Sequence, residues 1–466
     1  MRASAACELA GIPTASLVSE GYISQAKAVA KGLGLVHLAL SLVPGHPTAQ
    51  SADTLKNNIV NITLRDVIHN LTQSQKNTAL EKEEKTDQIV FKGGFDEVNH
   101  YFYTNELSDG LPVVPPTLER ISAFLKITPH RSDHIFGILP PDGRPASVWS
   151  IAVNGVMAGC RPEYMPILVA LVQAMLDPHY GVEHSGNNPG GETLIMINGP
   201  IAKQLQFNHL HGVLRDGFLA NTTVGRFWRL YLRNVAGFLP SKSDRATFGN
   251  TWKVVLSENE SVLEEIGWEP NNVEMGFTRD CNTVTIARYT GGDVSSSVFG
   301  QTPAEIMPFL AASVLRQVSW QIMFTVGQSQ GSLRPLILLT PAMARIFAKA
   351  GCSKQDVKQL IFEHARLPAC HIERLLRDWT RKGIWNIADE VKKGTLPKHF
   401  HESDDPERLV PIVWKAADYM IAVTGDELRN DVYVFAHNGI LGYPVGKKIE
   451  LPADWSDVIK SIENIS

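Results

Sequence analysis

Cysteine is scarce in this chain of 466 residues: Cys7, Cys160, Cys281, Cys352 and Cys370 are odd in number, far apart, and include no C-x-x-C pair. That excludes a disulfide framework and a zinc ribbon, and it favours a reducing compartment. Long apolar runs are lacking too. None approaches the roughly 18 residues of a spanning helix, and no charged stretch followed by an apolar one opens the chain, so the expectation is a cytoplasmic protein without a membrane partner. Basic excess is missing as well. Lys and Arg number 44 against 48 Asp and Glu, a net charge of -4, which gives no electrostatic case for nucleic acid. The chain carries no G-x-G-x-x-G, P-loop or H-E-x-x-H signature. No cofactor is assigned, and no metal site is expected from the isolated pairs His209/His211, His179/His184 and Cys370/His371.

What is present is the rhythm of an α/β protein. "RASAACELAG" reads as a helix stopped by Gly11, "PTASLVSE" as a short strand, "YISQAKAVAKGLGL" as an Ala-rich helix, and "VHLALSLVP" as a buried strand before the helix "ADTLKNNIVNITLRDVIHNLT". Such α-β-α-β-α units pair their strands in parallel, and a further strand is expected ahead of residue 1. The predicted organisation is a three-layer, flavodoxin-like unit over 1–73, a polar linker over 74–90, and a larger α/β domain over 91–466. Within the latter, 193–235 and 335–375 share an order of apolar strand, Pro-containing turn and helix that suggests an internal repeat.

The stretch "CELAGIPTASLVSEGYISQAKAVAKGLGL", with "DGLPVVPPT" and "AVNGVMAGCRPEYMP" more loosely, resembles the UGSC-motif (seleno)protein family. The resemblance implies a redox loop, Sec/Cys-Gly-Ser-Cys, between a first strand and the helix that begins near Arg2. This chain does not contain that loop. The resemblance therefore implies an architecture more than an activity, and leaves room for a partner chain that supplies the strand, or for a homo-oligomer.

Chemistry-bearing residues fall in three places. Cys160 precedes Arg161 and Pro162; a helix starting there would put the thiol at an N-cap, where free N–H groups favour a thiolate, with Glu163 as acid/base partner. The same residues also read as small groups closing a helix junction. "FNHLHGVLRDGFLANTTVGRFWRLYLRN" offers His209 or His211 as general acid/base. In the same stretch Asn221, Thr222 and Arg226 read as a helix-start clamp for a carboxylate or phosphate. The strand exits at Asn198-Gly199-Pro200, Thr340-Pro341 and His437-Asn438-Gly439 are ligand candidates because α/β sheets bind at the carboxyl ends of their strands. Together these readings predict a small-molecule enzyme for an anionic metabolite, with a thiol-dependent lyase, reductase or transferase as the reaction class. The alternative is a non-catalytic accessory subunit derived from a redox enzyme.

Overall fold

The computed structural model describes residues 2–32, 35, 38–72, 88–250, 252, 254–296, 298–327, 330–380, 385–437 and 439–463. Most of the linker expected at 74–90 lies outside them. The chain is α/β: helices make up 46% and strands 16%, arranged around a curled mixed sheet. It divides into two compact units. One comprises Met1–Met165, Ser185–Asn188 and Phe227–Ala246; the other comprises Pro166–His184, Pro189–Arg226 and Thr247–Ser466.

The first unit begins with helix α1 (Arg2–Leu9), strand β1 (Ser16–Ser19), helix α2 (Ile23–Gly32) and strand β2 (Leu40–Val43). The strands pair in parallel over all four residues, Ser16 with Leu40 through Ser19 with Val43, as the α-β-α-β pattern predicts. The flavodoxin-like sheet is not confirmed: among the described residues β1 and β2 form a two-stranded sheet, bonded directly to each other.

The next helix runs continuously through Ala52–Asn58 (α3), a π-turn at Ile59–Thr63 and Leu64–Thr72 (α4). Its polar residues seal the outer edge of β2. Asp66 Oδ2 accepts the Leu42 N–H (3.0 Å), Thr63 Oγ1 donates to Leu42 O (2.7 Å), and Asn70 Nδ2 donates to Leu40 O and Ser41 Oγ (both 3.0 Å). An edge satisfied by side chains no longer templates another strand.

The rest of this unit holds α5 (Phe95–Thr104), α6 (Leu118–Leu125) and the antiparallel pair β3 (Ile135–Leu139) and β4 (Arg144–Ser147). Thr117 caps α6 by accepting the Arg120 N–H, as the Pro-Pro-Thr punctuation predicts. Ser147 opens helix α7 (Val148–Ala158) with a capping box to Ser150. Ser150 Oγ also lies 2.9 Å from the Tyr231 hydroxyl, and Asn234 Nδ2 donates to Asn154 Oδ1 (2.9 Å), so buried polar groups tie residues 227–246 to α7.

The second unit is built on strands β5 (Glu192–Asn198), β6 (Val255–Ser257), β7 (Thr283–Ser295), β8 (Leu336–Leu339), β11 (Met420–Val423), β12 (Val432–His437) and β13 (Val445–Lys448), with β9 (Arg366–Pro368) and β10 (Leu409–Pro411) as a separate antiparallel pair. The order is β11-β8-β12-β7-β5-β6, and β13 also pairs with β7. Only β5/β6 and β8/β11 are parallel. The sheet curls until its edges meet past β6 and β11: Asn259 N–H donates to Val423 O (2.8 Å) and Thr424 Oγ1 to Ser257 O (2.8 Å). Six strands then share one interior cluster containing Leu194, Met196, Leu256, Ala287, Tyr289, Leu336, Leu338, Met420, Ala422 and Phe435. The opposite face of β8, β11 and β12, with Ile337, Leu339, Ile421, Val423, Val432 and Val434, packs on helices that include Pro303–Val318, Pro341–Lys349 and Lys354–His364. The alternation of period 2 along these strands fills both faces.

Candidate functional site

The carboxyl ends of β5 and β6 lie side by side because the strands are parallel, and together they bury a polar network. Asn198, the last residue of β5, continues the parity of Leu194 and Met196 and is wholly buried. Its Nδ2 donates to Glu258 Oε2 (2.7 Å) and Glu260 Oε1 (3.1 Å). Glu258 directly follows β6 and is 3% exposed; its Oε2 also accepts the Asn271 N–H (2.7 Å). Lys354, the first residue of its helix and 5% exposed, places Nζ 3.8 Å from Glu258 Oε1 and 3.9 Å from Glu274 Oε1. Lys358 donates to the other oxygen of Glu274 (2.8 Å).

The site is under-bonded. Glu258 Oε1, Asn198 Oδ1, Asn271 Oδ1 and Lys354 Nζ are all buried without a hydrogen-bond partner, and the 3.8 Å ion contact at Lys354 is too long to be one. Burial pushes the Glu258 carboxyl above the usual carboxylate range, against the pull of Lys354 and of the hydrogen bonds from Asn271 and Asn198. A carboxyl held towards its neutral form, beside an ammonium and two unfilled amide oxygens, is equipped to exchange a proton.

Gly199 turns the chain out of β5 at φ +95°, where any Cβ would meet Cys281 O at 2.7 Å. Its N–H donates to Glu260 Oε1 (2.7 Å). Of the three strand exits read from the sequence, this one carries the network. Thr340 Oγ1 donates to Arg429 O (2.5 Å). His437 goes elsewhere: it pairs with Tyr289 at the level of Glu192, the opposite end of β5 from Asn198. It is fully enclosed, with Nδ1 accepting the Arg334 N–H (3.1 Å) and Nε2 donating to Gly442 O (2.9 Å). Burial drives its pKa down to about 3, so it is a neutral packing group. Asn438 lies outside the described residues.

The helix-start clamp is arranged differently from its expectation. The helix spans Leu219–Tyr231, because the Thr222 N–H already bonds Phe218 O (2.9 Å), so Asn221 lies within the first turn and is not the N-cap. Its buried amide accepts the Asn208 N–H (2.9 Å) and donates to Asn208 O (3.0 Å) and Val255 O (2.7 Å), tying a loop to the start of β6. Thr222 Oγ1 accepts the Gly217 N–H (3.2 Å), and Arg226 is half-buried one turn on. His209 acts through its backbone, whose carbonyl receives Gly425 N–H and Thr424 Oγ1. His211 is exposed, with Nε2 3.1 Å from Asp426. Farther along the helix, Arg233 Nε donates to Glu106 O (2.7 Å) and Arg229 lies 3.8 Å from Asp244, so neither is a loose surface cation.

Cys160 and Glu163 belong to the first unit, and the six other candidates to the second. The N-cap placement of the thiol is overturned. Helix α7 ends at Ala158, Gly159 takes the left-handed conformation (φ 80°), and Cys160 N–H returns to Gly155 O (3.0 Å), a Schellman stop. The following turn, Pro162–Tyr164, has Arg161 as its N-cap, so Cys160 sits one residue too early to face the free N–H groups. It is buried at 8% exposure. Glu163 forms an ion pair with Arg161, and burial lifts the neighbouring Tyr164 phenol to about 12.

Against known proteins, one finding stands out. The UGSC family model matches residues 1–73. That segment is UGSC-like, as the resemblance at residues 7–35 implies, and it contains none of the polar network at the β5 and β6 exits. No curated protein and no solved structure matches the chain. Among the described residues no helix is long and apolar enough to cross a membrane, and no group of three or more His, Cys, Asp or Glu is placed to hold a metal.

Sequence reasoning missed Glu258, Asn271 and Lys354. The signal was present in "KVVLSENES", where an apolar strand runs directly into Glu258, Asn259 and Glu260, and in "GCSK", a cap followed by a lysine.

Proposed function

We propose that this chain is a cytoplasmic small-molecule enzyme that performs acid–base chemistry on a metabolite bearing a carboxylate or phosphate. The observation that carries this reading is the pair Glu258 and Lys354, both at least nine-tenths buried, 3.8 Å apart, and each with an unfilled polar atom. In the proposed arrangement Lys354 holds the substrate anion, Asn198 Oδ1 and Asn271 Oδ1 accept from its hydroxyl or amino groups, and Glu258 supplies or takes the proton. Thiol-dependent chemistry at Cys160 has less support, because the thiol is buried at a helix stop and not at a helix start. The partners on this reading are the anionic substrate and a second subunit.

The test is a thermal-shift screen of small hydroxy-, keto-, amino- and phospho-acids against the wild type, Glu258→Gln and Lys354→Met. Acids that stabilise the wild type should lose that effect in Lys354→Met and keep part of it in Glu258→Gln. Stabilisation retained in Lys354→Met but lost in Arg226→Ala would move the anion site to the Leu219–Tyr231 helix.

A further inference from the structure

The helix that seals β2 is amphipathic in an unusual sense, since its polar side is the one spent on the fold. Thr63, Asp66 and Asn70 bond the strand edge, which fixes the rotation of the helix about its axis. Its apolar side is left in solvent: Val60 (53%), Leu64 (46%), Ile68 (56%) and Leu71 (47%) form a stripe at helical spacing, and Ile59 and Ile62 of the π-turn are also exposed. A helix free to roll would bury that stripe. This one cannot, because rolling would strand the β2 edge groups.

We propose that this stripe is where a second copy of the chain docks, by antiparallel packing of the 52–72 helix against its mate. Three observations select that occupant. Pairing about Leu64 places Val60 opposite Ile68 of the mate, and the reverse, so the patch is self-complementary under a two-fold axis. Six half-exposed side chains amount to roughly 500 Å2 per copy and roughly 1,000 Å2 per pair, the size at which a specific interface becomes stable. The charges of the helix, Asp53, Lys56, Arg65 and Asp66, sum to zero, which does not suit a strongly charged partner or an anionic membrane surface.

Sedimentation velocity on the full chain from about 1 to 100 μM tests the proposal. The wild type should be a dimer across the upper part of that range. Leu64→Glu with Ile68→Glu should raise the dimer dissociation constant at least a hundredfold while leaving the circular dichroism spectrum unchanged, since both residues point into solvent. In a second experiment, Leu64→Cys should form a disulfide-linked dimer under mild oxidation, whereas Leu17→Cys, exposed on β1, should not. A wild type that stays monomeric throughout, a dimer indifferent to the two glutamates, or a stripe that binds neutral lipid vesicles in preference to itself would overturn it.

Discussion

Replacing Glu258 by Gln keeps the shape of the side chain and removes only its ability to ionise, so it isolates the cost of burying this carboxyl. In the folded state burial raises its pKa; in the unfolded chain it titrates as an ordinary glutamate near 4.3. The folded protein thus holds the proton over a pH window in which the unfolded chain has released it. The carboxyl favours the folded state below the unfolded pKa, and this contribution is lost as pH rises towards the folded pKa. Relative to Glu258→Gln, wild-type stability should therefore fall between about pH 4.5 and the folded pKa by about 1.4 kcal/mol per pH unit, then level off. At pH 4.5 the two proteins should lie within about 1 kcal/mol of each other, because a protonated carboxyl and an amide present similar hydrogen bonds to Asn198 and Asn271. Urea unfolding of both proteins at half-unit pH steps from 4.5 to 8 measures the difference directly. A wild type that gains stability over the variant as pH rises would mean that Lys354 stabilises the carboxylate more than burial destabilises it, and the acid–base assignment would fail.

Three other outcomes follow from the geometry. Asn221→Ala removes three hydrogen bonds, of which the one to Val255 O is fully buried, so it should cost about 2 to 4 kcal/mol in chemical denaturation, while Thr222→Ala should cost under about 1 kcal/mol. Gly199→Ala combines a positive φ with a Cβ 2.7 Å from Cys281 O; it should lower stability by at least about 2 kcal/mol and abolish any ligand-induced thermal shift. Cys160 should react with a thiol reagent at neutral pH more slowly than the exposed Cys370, even though the hydrogen bond to Glu407 raises the Cys370 pKa; peptide mapping after timed labelling decides it, and a faster Cys160 would restore the thiol reading.

Much of the local structure could be read from the sequence because it depends on near neighbours. The alternation in "SLVS" and "LSLV", the Gly stop at Gly11, the Thr117 cap and the apolar runs at 193–198, 336–339 and 432–437 all correspond to elements. What could not be read depended on distant partners. Asn221 resembles an N-cap by type, yet its amide is claimed by Asn208 and by Val255, 34 residues away. Cys160 resembles a helix start until the left-handed Gly159 shows that the preceding helix is being stopped. The exits at Asn198 and His437 look alike in sequence, and only strand register separates them. Glu258 and Lys354 are 96 residues apart and meet because the sheet curls.

In the proposed function Lys354 is the group that receives the substrate anion. Isothermal titration of the most stabilising acid from the screen into wild type, Lys354→Met and Arg226→Ala tests it most directly. The expected result is a loss of affinity of thirtyfold or more in Lys354→Met, equivalent to about 2 kcal/mol, with Arg226→Ala within threefold of the wild type. Unchanged affinity in Lys354→Met would contradict the account.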